Sequence, residues 1–329
     1  MKHGHFVISL DFELFWGVRD KRSVEEYGDH VRGVHTIVPE ILRIFRENGI
    51  HATWATVGFL WCENRGELLN SFPKVQPGYA DPIYSPYGSY MNRIGENELD
   101  DPLHFAASLV RLIRESTGQE MGSHTFSHFY CLENGQTAEE FRADMQAADS
   151  VARKLEMNLQ SLVFPRNQYS EEYLRIAREE GIMCYRGNGE SWLYRPRSQN
   201  DERLFRRALR LLDAYMNVSG PLDYSNEYMR RGVLIDIPAS RFLRPYSRKS
   251  SALQGLQMRR ITSAMTHAAR TGRTFHLWWH PHNFGVNQSE NLNMLGQLIA
   301  HFKKLHAECG FESLTMGELA TFLRAESNG

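Results

Sequence analysis

Two acidic residues, two positions apart, close an apolar run near the start of the chain. Phe6-Val7-Ile8-Ser9-Leu10 leads into Asp11-Phe12-Glu13. In an extended chain, positions i and i+2 point the same way, so Asp11 and Glu13 share a face. Acids at the C-terminal end of a strand sit where barrel enzymes keep their active sites. An acidic turn after a strand is the ordinary alternative. A second constellation is His124-Thr125-Phe126-Ser127-His128. Imidazoles at i and i+4 on one helical turn can hold one metal ion from one side. With 14 histidines in 329 residues, chance alone supplies roughly half a pair at this spacing. His276 and His280 form another such pair. They lie in a strand-like run, which would hold the two rings about 13 Å apart. The first pair instead follows Glu120-Met121-Gly122-Ser123, a short strand and turn, which suits a site at a strand's end.

Two further stretches carry polar chemistry beside apolar runs. Phe164-Pro165-Arg166-Asn167-Gln168-Tyr169 reads as a strand followed by a stiff polar turn, with Arg166 a fixed cation or one half of a surface salt bridge. Phe275-His276-Leu277-Trp278-Trp279-His280-Pro281-His282-Asn283 puts three histidines and two tryptophans at the end of a late strand. That run reads as an aromatic wall with a titrating imidazole, or as a packed strand with a core histidine.

These residues need elements to position them. Strands are predicted at His5 to Asp11, Ala52 to Val57, Glu120 to Ser123, Ser161 to Phe164, Ile182 to Tyr185, Val233 to Ile237, Thr274 to Trp279 and Phe311 to Leu314. Helix-period segments lie between most of them. Val34 to Glu47 carries apolar residues at Val34, Ile37, Val38, Ile41, Leu42 and Phe45, and Asn48-Gly49 stops it. Ala138 to Leu155, Glu171 to Glu180, Leu253 to Ala269 and Asn291 to Cys309 read the same way. Alternation of this kind predicts an α/β fold with a parallel sheet. No glycine-rich loop follows the first strand, so a closed barrel is favoured over an open nucleotide-binding sheet.

One domain is expected over residues 1–329, with insertions at about 63–99 and 194–231. The first is rich in Pro, Gly, Tyr and Asn. It is expected to border the cleft and to offer Tyr79, Tyr84 or Tyr87 to a substrate. The net charge of −1 argues against a nucleic-acid partner. No run of about 18 apolar residues is present, so no transmembrane helix is expected. Little chain precedes the first strand, leaving no room for a secretory signal, and the four isolated cysteines read as reduced thiols. A cytoplasmic location is the expectation.

Taken together and in this order, the motifs resemble the polysaccharide deacetylase family, the sugar N-deacetylases that include chitooligosaccharide and peptidoglycan deacetylases. The residues that carry the resemblance are Asp11-Phe12-Glu13, the run from His51 to Gly58, and above all Glu120 to His128. It extends from Phe6 to about Leu323. It implies a distorted (β/α) barrel of about seven strands. It implies Asp11 as catalytic base, with Glu13, His124 and His128 as ligands of a divalent metal ion, zinc by the ligand set. Arg166 would orient the base. His280 would be the general acid, with His282 its competitor two residues on or, on the loop after Pro281, a contact to substrate. The family's usual first motif has adjacent aspartates, and here Phe12 separates the two acids. Pro165 stands before Arg166 rather than after it. The family's aspartate-tryptophan pair is represented at best by Glu190-Ser191-Trp192.

The chemistry so implied is metal-dependent hydrolysis of an N-acetyl or other N-acyl group on an amino sugar. Such a reaction fits a glycan precursor of a surface polysaccharide. A backbone N–H after Arg166 would help to hold the oxyanion. Trp192, Trp278 or Trp279 would stack on a pyranose ring. Arg241 and Arg244 would meet a phosphate or carboxylate, or are ordinary surface arginines. Hydrolysis of another small amide, such as an N-formyl sugar or a ureide, stays open, as does a glycan-binding homologue without turnover.

Overall fold

A computed structural model describes residues 3–189 and 222–326, together with Leu209, Leu212, Asp213, Tyr215 and Gly220. Among these residues nine strands form one sheet: β1 His5–Phe12, β2 Ala52–Thr56, β3 Gln119–Ser123, β4 Ser161–Leu162, β5 Cys184–Tyr185, β6 Ile235–Asp236, β7 Arg241–Phe242, β8 Thr274–Trp279 and β9 Glu312–Leu314. Eight of them run in the order β6-β5-β4-β3-β2-β1-β8-β7, and β9 pairs with β1. Every ladder is parallel. β7 was not expected from the sequence, and the predicted strand at Val233 to Ile237 shortens to Ile235–Asp236. These two are parts of one bent segment. Ile237 N and Ala239 N donate to Tyr185 O and Gly187 O on one side, and Ser240 N and Leu243 N donate to His276 O and Trp278 O on the other. Residues 235–243 therefore join both ends of the row, and the sheet curls into a distorted barrel. Counting that segment once and leaving β9 aside, seven strands ring the interior.

The parity of β1 decides what lies inside. Phe6, Ile8, Leu10 and Phe12 belong to the large apolar layer between sheet and helices. Val7 belongs to a smaller inner cluster with Ala55, Val163, Cys184, Ile235 and Ile237. Helix Met316–Ala325 plugs that end of the barrel with Met316, Leu319, Ala320 and Leu323. Further along the same face of β1 come Ser9 and Asp11, which are buried but polar. The interior is thus apolar at the N-terminal ends of the strands and polar at the C-terminal ends.

The expected helices form at Val34–Asn48, Ala138–Lys154, Glu171–Glu179, Gln254–Thr271 and Gln288–Cys309. Gly49 and Gly310 close two of them in the left-handed conformation. No helix among the described residues is long and apolar enough to cross a membrane.

Candidate metal and hydrolytic site

Glu13, just past the end of β1, is brought to His124 and His128, which follow β3. Its Oε2 lies 3.3 Å from His124 Nε2 and 3.0 Å from His128 Nε2. One ligand atom from each of the three residues lies within 4.8 Å of the others, and all three residues are buried. The carboxyl group passes directly over Gly17, where a Cβ would come within 2.0 Å of the carboxyl carbon. Any larger residue at position 17 would push Glu13 out of the set.

The segment from His124 to His128 is not the helical turn expected from its spacing. Thr125 and His128 adopt the left-handed conformation at φ 62° and 60°, and the chain loops rather than coils. Asp144, buried on helix Ala138–Lys154, supports the loop. It accepts from Phe126 N at 2.7 Å, from Ser127 N at 3.1 Å and from the Ser127 hydroxyl. Non-glycine residues held at positive φ cost energy and cluster at functional sites. Leu14, Arg166 and Asn167 are three more around this barrel mouth.

The donor set fits a divalent cation. His124 Nδ1 lies 2.7 Å from the carbonyl of Val163. A carbonyl only accepts, so Nδ1 carries the hydrogen and Nε2 turns its lone pair toward Glu13. Two electron-rich atoms at 3.3 Å need a cation or a proton between them. Burial pushes the His128 ring down to about 4, so it is neutral at pH 7 and has a lone pair to offer. Two imidazole nitrogens and one carboxylate match a three-ligand site with an open position.

Asp11 lies beside this set and outside it. Arg186 grips it with two hydrogen bonds, Nη1 to Oδ1 at 2.6 Å and Nη2 to Oδ2 at 2.8 Å. Burial pushes the Asp11 carboxyl up, but Arg186, with His124 and His280, outweighs it and holds the group below its ordinary value. Arg186 is fully enclosed and lies against the Trp278 ring at 4.1 Å. Its other partners are Asn167 Oδ1 at 3.1 Å and Ser9 Oγ at 3.1 Å. His276 Nε2 is 2.8 Å from Ser9 Oγ, and its Nδ1 faces the Ile237 carbonyl at 3.0 Å.

Burial and the Arg186 charge push the His276 ring down to about 3. An unfolded histidine titrates near 6.5, so below that pH the unfolded chain binds a proton the native ring refuses. Stability therefore falls as pH drops from about 6.5 toward 3, by about 1.4 kcal/mol per pH unit from this ring. Urea unfolding at pH 7 and pH 5 is expected to show about 2 kcal/mol less acid loss in His276→Gln than in the wild-type chain. An equal loss in both would remove His276 as the source.

His280 and His282 end up on one side of the site. His280 Nε2 is 3.6 Å from both Asp11 Oδ2 and Glu13 Oε1. His282 Nε2 is 4.0 Å from Glu13 Oε1. The two rings stack at 4.9 Å. His280 is the accessible one, with 24% of its side chain exposed against 4% for His282. His282 is therefore a buried ring beside Glu13 rather than the loop contact to substrate expected from the sequence.

Other sequence-predicted residues lie elsewhere. Arg166 does not reach Asp11. Its guanidinium pairs with Asp20 and with Glu133 at 3.0 Å, and it lies over Tyr130 at 3.9 Å. The N–H groups that follow it are already used, Asn167 N by Phe164 O at 2.8 Å and Gln168 N by Pro165 O at 3.1 Å. They do not form an oxyanion hole in this arrangement. Trp279 points outward, buried against Phe45 and Phe284, whereas Trp278 faces the interior. Arg241 is buried in an ion pair with Asp213 at 2.6 Å. Trp192 and most of the 194–231 insertion lie outside the described residues. The 63–99 insertion does lie on the site's side of the barrel, where Tyr84 meets Arg166 at 5.1 Å and Tyr130 at 5.6 Å. Tyr79 and Tyr87 are buried in its packing.

Residues 27–185 match the family described as polysaccharide deacetylase. That stretch, just under half of the chain, is what is similar to the family. The matched stretch contains His124, His128 and Arg166, while Asp11, Glu13, Arg186 and His280 lie outside it. No curated protein matches the chain. Among solved structures it is similar to a Mycobacterium smegmatis protein designated a polysaccharide deacetylase. The two are 13% identical with a TM-score of 0.57, over 99% of this chain and 92% of that one. A Pseudomonas aeruginosa PAO1 protein with the same designation is 11% identical at a TM-score of 0.53, over 98% and 90%. An allantoinase is 11% identical at 0.52, over 98% and 91%. At such identities the likeness is one of fold.

Proposed function

We propose that the chain is a metal-dependent hydrolase that removes an N-acetyl or related N-acyl group from an amino sugar. The observation that carries this reading is the convergence of Glu13, His124 and His128 beside an arginine-clamped carboxylate. When bound, a zinc-like ion with three protein ligands leaves a position for water and lowers its pKa toward 7. Asp11 accepts the proton of the attacking water, and Arg186 holds its carboxylate in plane for that transfer. His280, at 3.6 Å from Asp11, donates a proton to the amine nitrogen as the carbon–nitrogen bond breaks. The products are a free amino sugar and a carboxylate. Trp278 and Tyr84 at the mouth offer apolar faces to a sugar ring. The substrate class proposed is a glycan or glycan precursor in surface polysaccharide biosynthesis, reached from the cytoplasm.

Metal analysis of the purified chain, joined to acetate release from a panel of N-acetylated sugars, tests the proposal. One divalent ion per chain is expected, and His124→Ala should lose it together with turnover. An N-formyl sugar and a ureide belong on the panel, since turnover of those alone would reassign the substrate. A chain with no stoichiometric metal and no turnover would be a glycan-binding homologue.

The acid is tested by comparing His280→Ala with His282→Ala on an amide and on an activated ester. The ester's leaving group needs no proton. His280→Ala is expected to lose about 10²–10⁴ in kcat on the amide and to keep most of its ester activity. That pattern in His282→Ala instead would move the assignment by two residues.

A further inference from the structure

One long stretch of the sequence has no acidic residue. Between Asp236 and Glu290 there are eight arginines and lysines and no aspartate or glutamate. With 39 acids spread over 329 residues, about six would fall there by chance. Some of these cations are used inside the protein. Arg241 and Arg260 meet Asp213, and Arg273 meets Asp223. Arg244, Arg248, Lys249 and Arg259 form no ion pair among the described residues.

The topology puts these four cations at the mouth end of the barrel. β7 ends at Phe242, which pairs with Trp278, two residues before His280. The chain therefore leaves β7 at the end of the sheet where the candidate site lies. Helix Gln254–Thr271 then runs back to the start of β8 at Thr274. Its first turn is thus at the mouth and its last turn at the plugged end. Arg248 and Lys249 are exposed on the 3₁₀ segment Arg248–Leu253 that precedes it, and Arg259 is exposed on its second turn. No side chain caps this helix and no acid stands in its first turn, so nothing offsets the positive end of its dipole.

Large apolar side chains stand among the charges. Leu253 is 40% exposed, and Leu256, three residues on and on the same face, is 43% exposed. Leu212, 42% exposed, borders the same rim. Tyr215 N donates to the Leu212 carbonyl at 3.0 Å, and Tyr215 lines one small crevice with Tyr246, Ser250 and Gln254. A soluble polyanion would use the cations and leave the leucines in water. A bilayer with anionic headgroups takes both.

We infer that residues 244–259, with Leu212 beside them, form a docking surface for an anionic lipid bilayer at the mouth end of the barrel. The leucines enter the headgroup layer, and the cations lie against the lipid phosphates. The attachment is peripheral, and salt reverses it. It does not rest on the hydrolase reading.

Sedimentation of the full-length chain with phosphatidylcholine vesicles, with and without about 30% phosphatidylglycerol, tests this. Binding to the anionic vesicles is expected to be about tenfold stronger or more. It should fall by a similar factor between about 0.05 and 0.5 M salt. Arg248→Gln with Lys249→Gln should weaken it about 5–30-fold. Leu253→Ser with Leu256→Ser leaves the charge unchanged and should weaken it by about tenfold. A wild-type Tm in both double variants shows that the fold is intact, and Leu256→Ser alone carries the test if the serine pair unfolds the chain. Equal binding to both kinds of vesicle, or binding to neither, overturns the inference. So does binding that the serines leave unchanged, which marks a site for a soluble polyanion. Heparin and duplex RNA are run beside the vesicles, and a preference for either over the anionic vesicles overturns it as well.

Discussion

Arg186→Met is expected to lower kcat on the N-acyl substrate by about 10²–10⁴ while metal content stays at the wild-type level. The reasoning is geometric. Arg186 gives both forks of its guanidinium to Asp11, and its other hydrogen bonds go to Ser9 and Asn167 rather than to Glu13, His124 or His128. Methionine fills much of the same volume and lies against Trp278, but it leaves a carboxylate enclosed without its cation. Breaking a buried pair by removing one partner costs about 3–5 kcal/mol of stability. Burial then drives the Asp11 carboxyl toward its protonated form, which cannot act as a base. Arg186→Lys keeps the charge and loses the two-pronged geometry, so it should fall between wild type and Arg186→Met. Steady-state kinetics, metal analysis and urea unfolding on the three chains check this. Wild-type turnover in Arg186→Met would show that the clamp is a packing feature.

Asp11→Asn is expected to keep the metal and to lose turnover by a comparable factor, about 10²–10⁴. An amide has nearly the shape of a carboxylate but cannot take the proton. Loss of metal together with activity would make Asp11 a ligand. The double variant Asp11→Asn, Arg186→Met is informative beside it. It removes both charges, so no ion is left enclosed without a partner. It should be more stable than Arg186→Met alone, and the two substitutions should be strongly non-additive in stability and in kcat.

The gathering of Glu13, His124 and His128 beside Asp11 was legible because its signals are local. Asp11 and Glu13 share a face by the parity of a single strand, and the strand could be recognised from Phe6 to Leu10. His124 and His128 were legible as a pair, although the reason offered, a helical turn, was wrong. The left-handed residues that bend the loop are threonine and histidine rather than glycine, so no residue type announced it. Arg186 was missed because its partner lies across the barrel. Asp11 is on β1 and Arg186 follows β5, four strands along the row. Parity within one strand says that Cys184 and Arg186 point the same way, but not what they point at. Arg166 was chosen for its motif, and its surroundings, Asp20 and Glu133, come from loops that no periodicity locates. The opposed faces of Trp278 and Trp279 follow from the parity rule used for Asp11, so Trp279 was excluded in principle by the sequence itself. β7 was not legible, since two residues in a bent segment carry no alternation.

The ladder between β1 and β9 has a consequence for how the chain is made. β1 precedes the other strands of the sheet in the sequence, and β2 follows it. Yet Phe6 and Val7 pair with Ser313 and Leu314, and the whole run from His5 to Leu10 pairs with Thr274 to Trp279. The strand that leads to Asp11 and Glu13 thus keeps unpaired backbone groups until residues 274–279 and 312–314 have been made. Closing contacts across about 300 residues is slow, because the entropy of the loop is lost before the contacts form. Until β8 is made, an apolar strand with two acids at its tip stands with one edge open. Completion of the strand that carries the site therefore follows synthesis of β8 and β9, and a chain truncated before Glu312 would have β1 without one of its partners.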